Sequence, residues 1–162
     1  MNIFEVMAYS SLDVASYFIV RAKEAGAKDL SPMKLQKLLY FAHGWYLAVN
    51  DAPLLTDRIQ AWQFGPVIDT LYHETKRYGN DHIDQPLTRA WEEIDEETNQ
   101  FLDSIWDTYS PYSAVRLSNA THAEGSPWDQ AVKKNGGVIK KNMIIDDQII
   151  KDYFVRKMNS EG

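Results

Sequence analysis

The sequence predicts an α+β fold that is predominantly α-helical, a compact helical domain with a small β-hairpin or short sheet. Three observations carry this. Four of the six prolines follow a Ser or Gly and stand immediately before a helix-like pattern, at Ser31-Pro32, Gly65-Pro66, Ser110-Pro111 and Ser126-Pro127. Proline at the first helical position gives up an amide that has no partner there, while a preceding Ser oxygen accepts a bond from an amide one turn in. Apolar residues recur at helical spacing through several long stretches. Polar and apolar residues alternate in the manner of a short half-buried strand at Arg58–Phe64.

The first helix is expected from about Ser11 to Ala25, with Leu12, Ala15, Ile19 and Ala22 on one stripe and Gly26 as its stop. A second begins at Pro32 and carries Leu35, Leu38, Leu39, Ala42 and Tyr46 at helical spacing. From Leu38 to Val49, the residues Tyr40, Phe41, Trp45 and Leu47 add apolar bulk on the other faces. A helix apolar all round belongs among neighbours, so this one is expected at the centre of the fold. Ala52-Pro53 makes a turn ahead of the strand, and a third helix is expected from Pro66 to about Arg77, with Val67, Leu71 and Tyr78 inward.

Residues 81–94 keep no period and contain Pro86, which reads as a loop. Glu92, Glu93, Asp95, Glu96 and Glu97 then open a helix bearing Phe101, Leu102, Ile105, Trp106 and Tyr109. Negative charge there complements the positive end of the helix dipole. Short helices follow from Pro111 to about Asn119 and from Pro127 to about Lys134, where Ser126 and Asp129 approximate a capping box. Asn135-Gly136-Gly137 reads as a hairpin turn joining Val138-Ile139 to Met143-Ile144-Ile145. The last helix starts at Asp146 or Asp147 and presents Ile149, Ile150, Tyr153 and Phe154.

The 162 residues fit one domain spanning 1–162, and a chain this long hides about 70% of the surface its unfolded form exposes. The net charge of −6 supplies no positive field to gather a phosphate backbone, so direct nucleic-acid binding is not expected. Lys133-Lys134 and Lys140-Lys141 read as solvated decoration of a turn. The absence of Cys excludes disulfides and thiolate metal sites. Met1-Asn2-Ile3-Phe4-Glu5 is no signal peptide and no apolar stretch suits a membrane span, so the expected location is cytoplasmic.

Catalytic signatures are missing. There is no Gly-x-Ser-x-Gly elbow, phosphate loop, dinucleotide glycine fingerprint or His-Glu-x-x-His. His43, His73, His82 and His122 lie far apart in sequence, so neither a metal nor a cofactor is expected. His43, inside the central helix, reads as a core imidazole hydrogen-bonded to backbone. His122 sits in a polar link between two short helices, placed either to tie that link to a carbonyl or to fold over a pocket. Trp62 and Phe64 share strand parity and should face the same way, as core or as the wall of a groove beside the helix expected at Pro66.

Taken together, Met33-Lys34-Leu35-Gln36-Lys37-Leu38-Leu39-Tyr40-Phe41, Gly44-Trp45-Tyr46-Leu47-Ala48, Ala61-Trp62-Gln63-Phe64-Gly65-Pro66-Val67, Leu117-Ser118 with Thr121-His122, Ser126-Pro127-Trp128, and Asp146 to Phe154 resemble the Panacea domain family, the SocA-like or phage-associated GepA-like antitoxin domains. The resemblance spans nearly the whole chain in order. It implies a mainly helical domain of bacteria and their prophages that neutralises a cognate protein toxin by direct contact, and is not an enzyme. It also implies an alternative, an adaptor that hands the toxin to an ATP-dependent protease. The rival from the residues themselves is an enzyme with an unrecognised site near His122, Trp128 and Trp62. Trp62, Phe64, Tyr72, His122 and Trp128 are the expected partner-binding residues, provided they are not buried as scaffold.

Overall fold

A computed structural model describes residues 8–161. The stretch 1–7, where no signal peptide is read, lies outside the described residues. The elements run α1 (Ser11–Glu24), α2 (Pro32–Asn50), β1 (Ile59–Trp62), β2 (Gly65–Val67), α3 (Asp69–Thr75), α4 (Glu96–Tyr109), α5 (Ala114–Thr121), α6 (Pro127–Lys134), β3 (Ile144–Ile145) and α7 (Asp147–Glu161). Short 3-10 turns occupy Lys76–Tyr78 and Ala90–Glu93. The fold is thus α+β and mainly helical.

Side-chain caps fix most helix starts. Ser10, Ser31, Asp95, Ser113 and Ser126 each accept a bond from an amide in the first turn that follows. Each such cap is worth about 1 kcal/mol. α2 is the centre, packed against α1, α3, α4, α5, α7 and β2. Every residue from Lys34 to Gly44 is buried, which is what an apolar surround on all faces demanded. At Gly44 the chain passes so close to Phe154 that an added Cβ would lie 2.2 Å from the ring. His43 is fully buried. Its Nδ1 accepts the Leu55 amide at 3.4 Å, which leaves Nε2 to donate to Asp147 at 2.9 Å.

Three expectations need correction. Gly65-Pro66 opens no helix: it begins β2, which pairs antiparallel with β1 through Ala61 opposite Pro66. The sheet order is β2-β1-β3, so β2 is an edge strand, where a residue without an amide proton is tolerated. Ser110-Pro111 opens none either. Ser110 already closes α4, its amide bonded to the Trp106 carbonyl, and α5 starts three residues later on Ser113. Finally, Asn135-Gly136-Gly137 is no hairpin. The Asn135 and Gly137 amides bond back to the last carbonyls of α6, closing that helix, and β3 pairs instead with the distant β1, Ile145 opposite Ile59. Among the described residues the hairpin is β1-β2.

Candidate functional site

The β1-β2 turn consists of Gln63 and Phe64, and it forms where α2, α3, α5 and α6 come together. Phe64 therefore sits in the turn and not on the strand, so its shared parity with Trp62 fails. Its side chain is 66% exposed. The turn beneath it is nonetheless held on several sides. Ser118 of α5 donates to the Phe64 carbonyl at 3.2 Å, and the Trp128 indole of α6 donates to the Trp62 carbonyl at 2.6 Å. Gln60, two residues before Trp62 and so on the same strand face, accepts the Trp62 indole N–H at 2.9 Å. Just beyond, the Gln36 amide of α2 forks onto Ile68, accepting its N–H and donating to its carbonyl, both at 2.9 Å.

Gly65 is required at its position. Its φ is +120°, and a Cβ there would come 3.1 Å from Thr121 Oγ1 and 3.2 Å from Lys37 Nζ. Lys37 reaches from α2 to the Pro66 carbonyl at 3.0 Å. Burial pushes its ammonium down to about 8, because a charge removed from water favours the neutral amine.

The five expected contact residues do gather around this turn, in unequal roles. Trp62 and Tyr72 of α3 meet edge to face at 4.9 Å. With Phe64, Met33, Gln36 and Lys37 they line a groove of about 520 Å³. His122 and Trp128 stand behind the turn and do not line that groove. The His122 ring lies 5.6 Å from the Trp128 ring, and its Nδ1 donates to the Ser118 carbonyl at 2.6 Å. Of its two readings, the tie to a backbone carbonyl is the one observed.

Lys37, Gln36 and Met33 escaped the sequence-level choice of residues. For Lys37 and Gln36 the signal was present, since polar side chains at 34, 36 and 37 inside a helix apolar all round must find partners; for Met33 the sequence carried none. Of the lysine pairs read as decoration, Lys133 pairs with Asp129 at 2.9 Å. Lys134, Lys140 and Lys141 instead stand with Arg58 around a separate cleft of about 610 Å³. Among the described residues no group of three His, Asp or Glu converges as metal ligands, and no helix is long and apolar enough to cross a membrane.

A family model described as "Antitoxin SocA-like, Panacea domain" matches residues 35–129, a span from α2 into α6 that contains the turn, its supports and all of the groove's lining except Pro32 and Met33. The chain is 31% identical over 159 residues to a protein of Caulobacter vibrioides (strain NA1000 / CB15N) named "Antitoxin SocA", with 89% of this chain and 83% of that protein covered. No solved structure matches it.

Proposed function

The chain belongs to the SocA-like antitoxins of the Panacea domain family, and on that premise we propose that it acts as one domain over residues 1–162, in the cytoplasm, neutralising a cognate protein toxin by direct contact at the aromatic groove. The observation that carries this is Phe64. A phenylalanine left 66% exposed on a turn whose carbonyls are pinned by Ser118 and Trp128 is a rigid apolar anchor without a pocket of its own. Hot spots in protein interfaces are commonly aromatic and sit beside cavities that fill on binding. A rigid anchor also loses little conformational entropy on docking. Trp62 and Tyr72 supply the groove wall, while Trp128 and His122 support the turn from behind. The engagement of His122 Nδ1 by a backbone carbonyl supports a structural use of that imidazole over a catalytic one.

Co-expression with the toxin encoded beside this chain is the test. Survival and co-elution of the two proteins on gel filtration are expected, with an interface on the order of 1,600 Å². Continued killing with no complex would reject the reading. A toxin half-life shortened only when this chain and an ATP-dependent protease are both present would add delivery to proteolysis to the binding role.

A further inference from the structure

Two lysines of α2 are equally hidden and differently satisfied. Lys34, fully buried, donates to the Asp29 carboxylate at 2.8 Å and to the Ser110 carbonyl at 2.7 Å. Lys37, 2% exposed, donates only to the Pro66 carbonyl, and no carboxylate pairs with it among the described residues. An ammonium has three donors, so two of them find no acceptor among the described residues, and burying a cation in that condition is costly. The cost is visible in how far burial pushes Lys37 down.

The groove that Lys37 lines also contains Lys76 and contains no Asp or Glu, in a chain whose net charge is −6. A Cβ at Gly65 would lie 3.2 Å from Nζ and 3.1 Å from Thr121 Oγ1, so only glycine fits beside the ammonium. Met33, Phe64 and Tyr72 each expose a large apolar surface around it. A deficit of acceptors at one point, ringed by apolar side chains, specifies its occupant by charge and by shape. We propose that the groove takes an extended segment of the toxin that sets one Asp or Glu side chain against Lys37, with apolar residues on both sides of that acid packed on Phe64, Tyr72 and Met33. This rests on the groove being the toxin contact, and adds the chemistry of what enters it.

The probe is a random-peptide phage library panned on the full chain, with the selected peptides synthesised and titrated calorimetrically. Peptides carrying one acid between apolar residues are expected. Replacing that Glu by Gln should weaken binding to the wild type about tenfold, the usual worth of a charged hydrogen bond, and should change nothing for the Lys37→Met protein. Affinity of the acidic peptide should also fall as pH rises through about 8 while the Gln peptide stays level. A level profile in Lys37→Met assigns that slope to Lys37 rather than to Lys76, Tyr72 or His122, the other titratable groups at the groove and behind its turn.

Selection of no peptide, no acid among those selected, or a Glu→Gln loss that persists in Lys37→Met overturns the inference. Should Lys37→Met not fold, the wild-type pH profile decides alone: a fall supports the acid on Lys37, and a level line overturns it. Failure of these peptides while the toxin still co-elutes removes this inference only, whereas loss of the toxin complex removes the reading beneath it.

Discussion

Two aromatic clusters lie along α2 and its neighbours, and they are built on opposite logic. In the first, rings meet rings. Phe41 stacks on Tyr109 at 4.1 Å, and Phe154 meets Tyr40, Phe41 and Trp45 at 5.7, 6.3 and 5.0 Å. Phe154 has no exposure at all. In the second, around the β1-β2 turn, the rings are held less by each other than by hydrogen bonds. Both indole N–H groups there go to fixed oxygens, Trp62 to Gln60 and Trp128 to the Trp62 carbonyl. Phe64 and Tyr72 stay exposed. Aromatic content therefore does not separate buried rings from exposed ones; what surrounds the ring does. The first cluster is packed ring on ring around the buried Phe154, with Trp45 Nε1 donating to the Tyr109 hydroxyl at 2.6 Å, whereas the second is tied mainly to backbone and amide oxygens and leaves Phe64 and Tyr72 exposed.

The largest effect should come from breaking the first cluster. Phe154→Ala removes a fully buried ring from four aromatic partners, and a loss of about 3–5 kcal/mol is expected in urea or thermal unfolding. A loss below about 1 kcal/mol would show that this cluster is not the anchor of α7.

Lys37 sits under the second cluster and gives the next effect, read through pH. The unfolded chain keeps this proton up to about 10.4, whereas burial pushes it down to about 8 in the fold. Between those values the unfolded state binds more protons, so stability rises with pH. Below them both states are protonated and the penalty is fully present. The unfolding free energy of wild type minus that of Lys37→Met should climb across this window by at most about 3 kcal/mol. Tyr40, whose hydroxyl burial pushes up, is present in both proteins and cancels. A flat difference would mean that Lys37 is solvated in the folded protein.

Much of the first cluster was legible in the sequence. The continuous apolar surround of α2, its serine cap at 31 and the periodicity of α7 placed those elements close to where they are found. The second was legible only in part. Gly65-Pro66 carries the same local signature as Ser31-Pro32, yet pairing with β1 turned it into an edge strand. Strand pairing is a long-range outcome that a local signature does not contain. The same holds for β3, whose partner lies across the chain rather than across Asn135-Gly136-Gly137. The five chosen contact residues converge on one turn, yet their division into groove wall and rear support depends on that pairing.

Gly44→Ala comes third. The new Cβ would meet the Phe154 ring at 2.2 Å, so the ring must shift, at about 1–3 kcal/mol. Melting unchanged from wild type would show that the ring moves freely and that the first cluster is looser than its distances suggest.

The smallest effect on stability sharpens the contrast most. Phe64→Ala removes a ring that is two-thirds solvent-exposed and leaves untouched the backbone bonds that hold its turn, because Ser118 bonds the Phe64 carbonyl and not the side chain. Surface substitutions of this kind usually stay within about 0.5 kcal/mol, so melting should match the wild type. Rescue from the toxin should fall, and complex affinity should drop at least tenfold, the scale of a single interface anchor. A ring deleted from the first cluster would lose rescue only by unfolding the protein. One deleted from the second should lose it with the fold intact, and equal loss of melting temperature in both would erase the distinction between them.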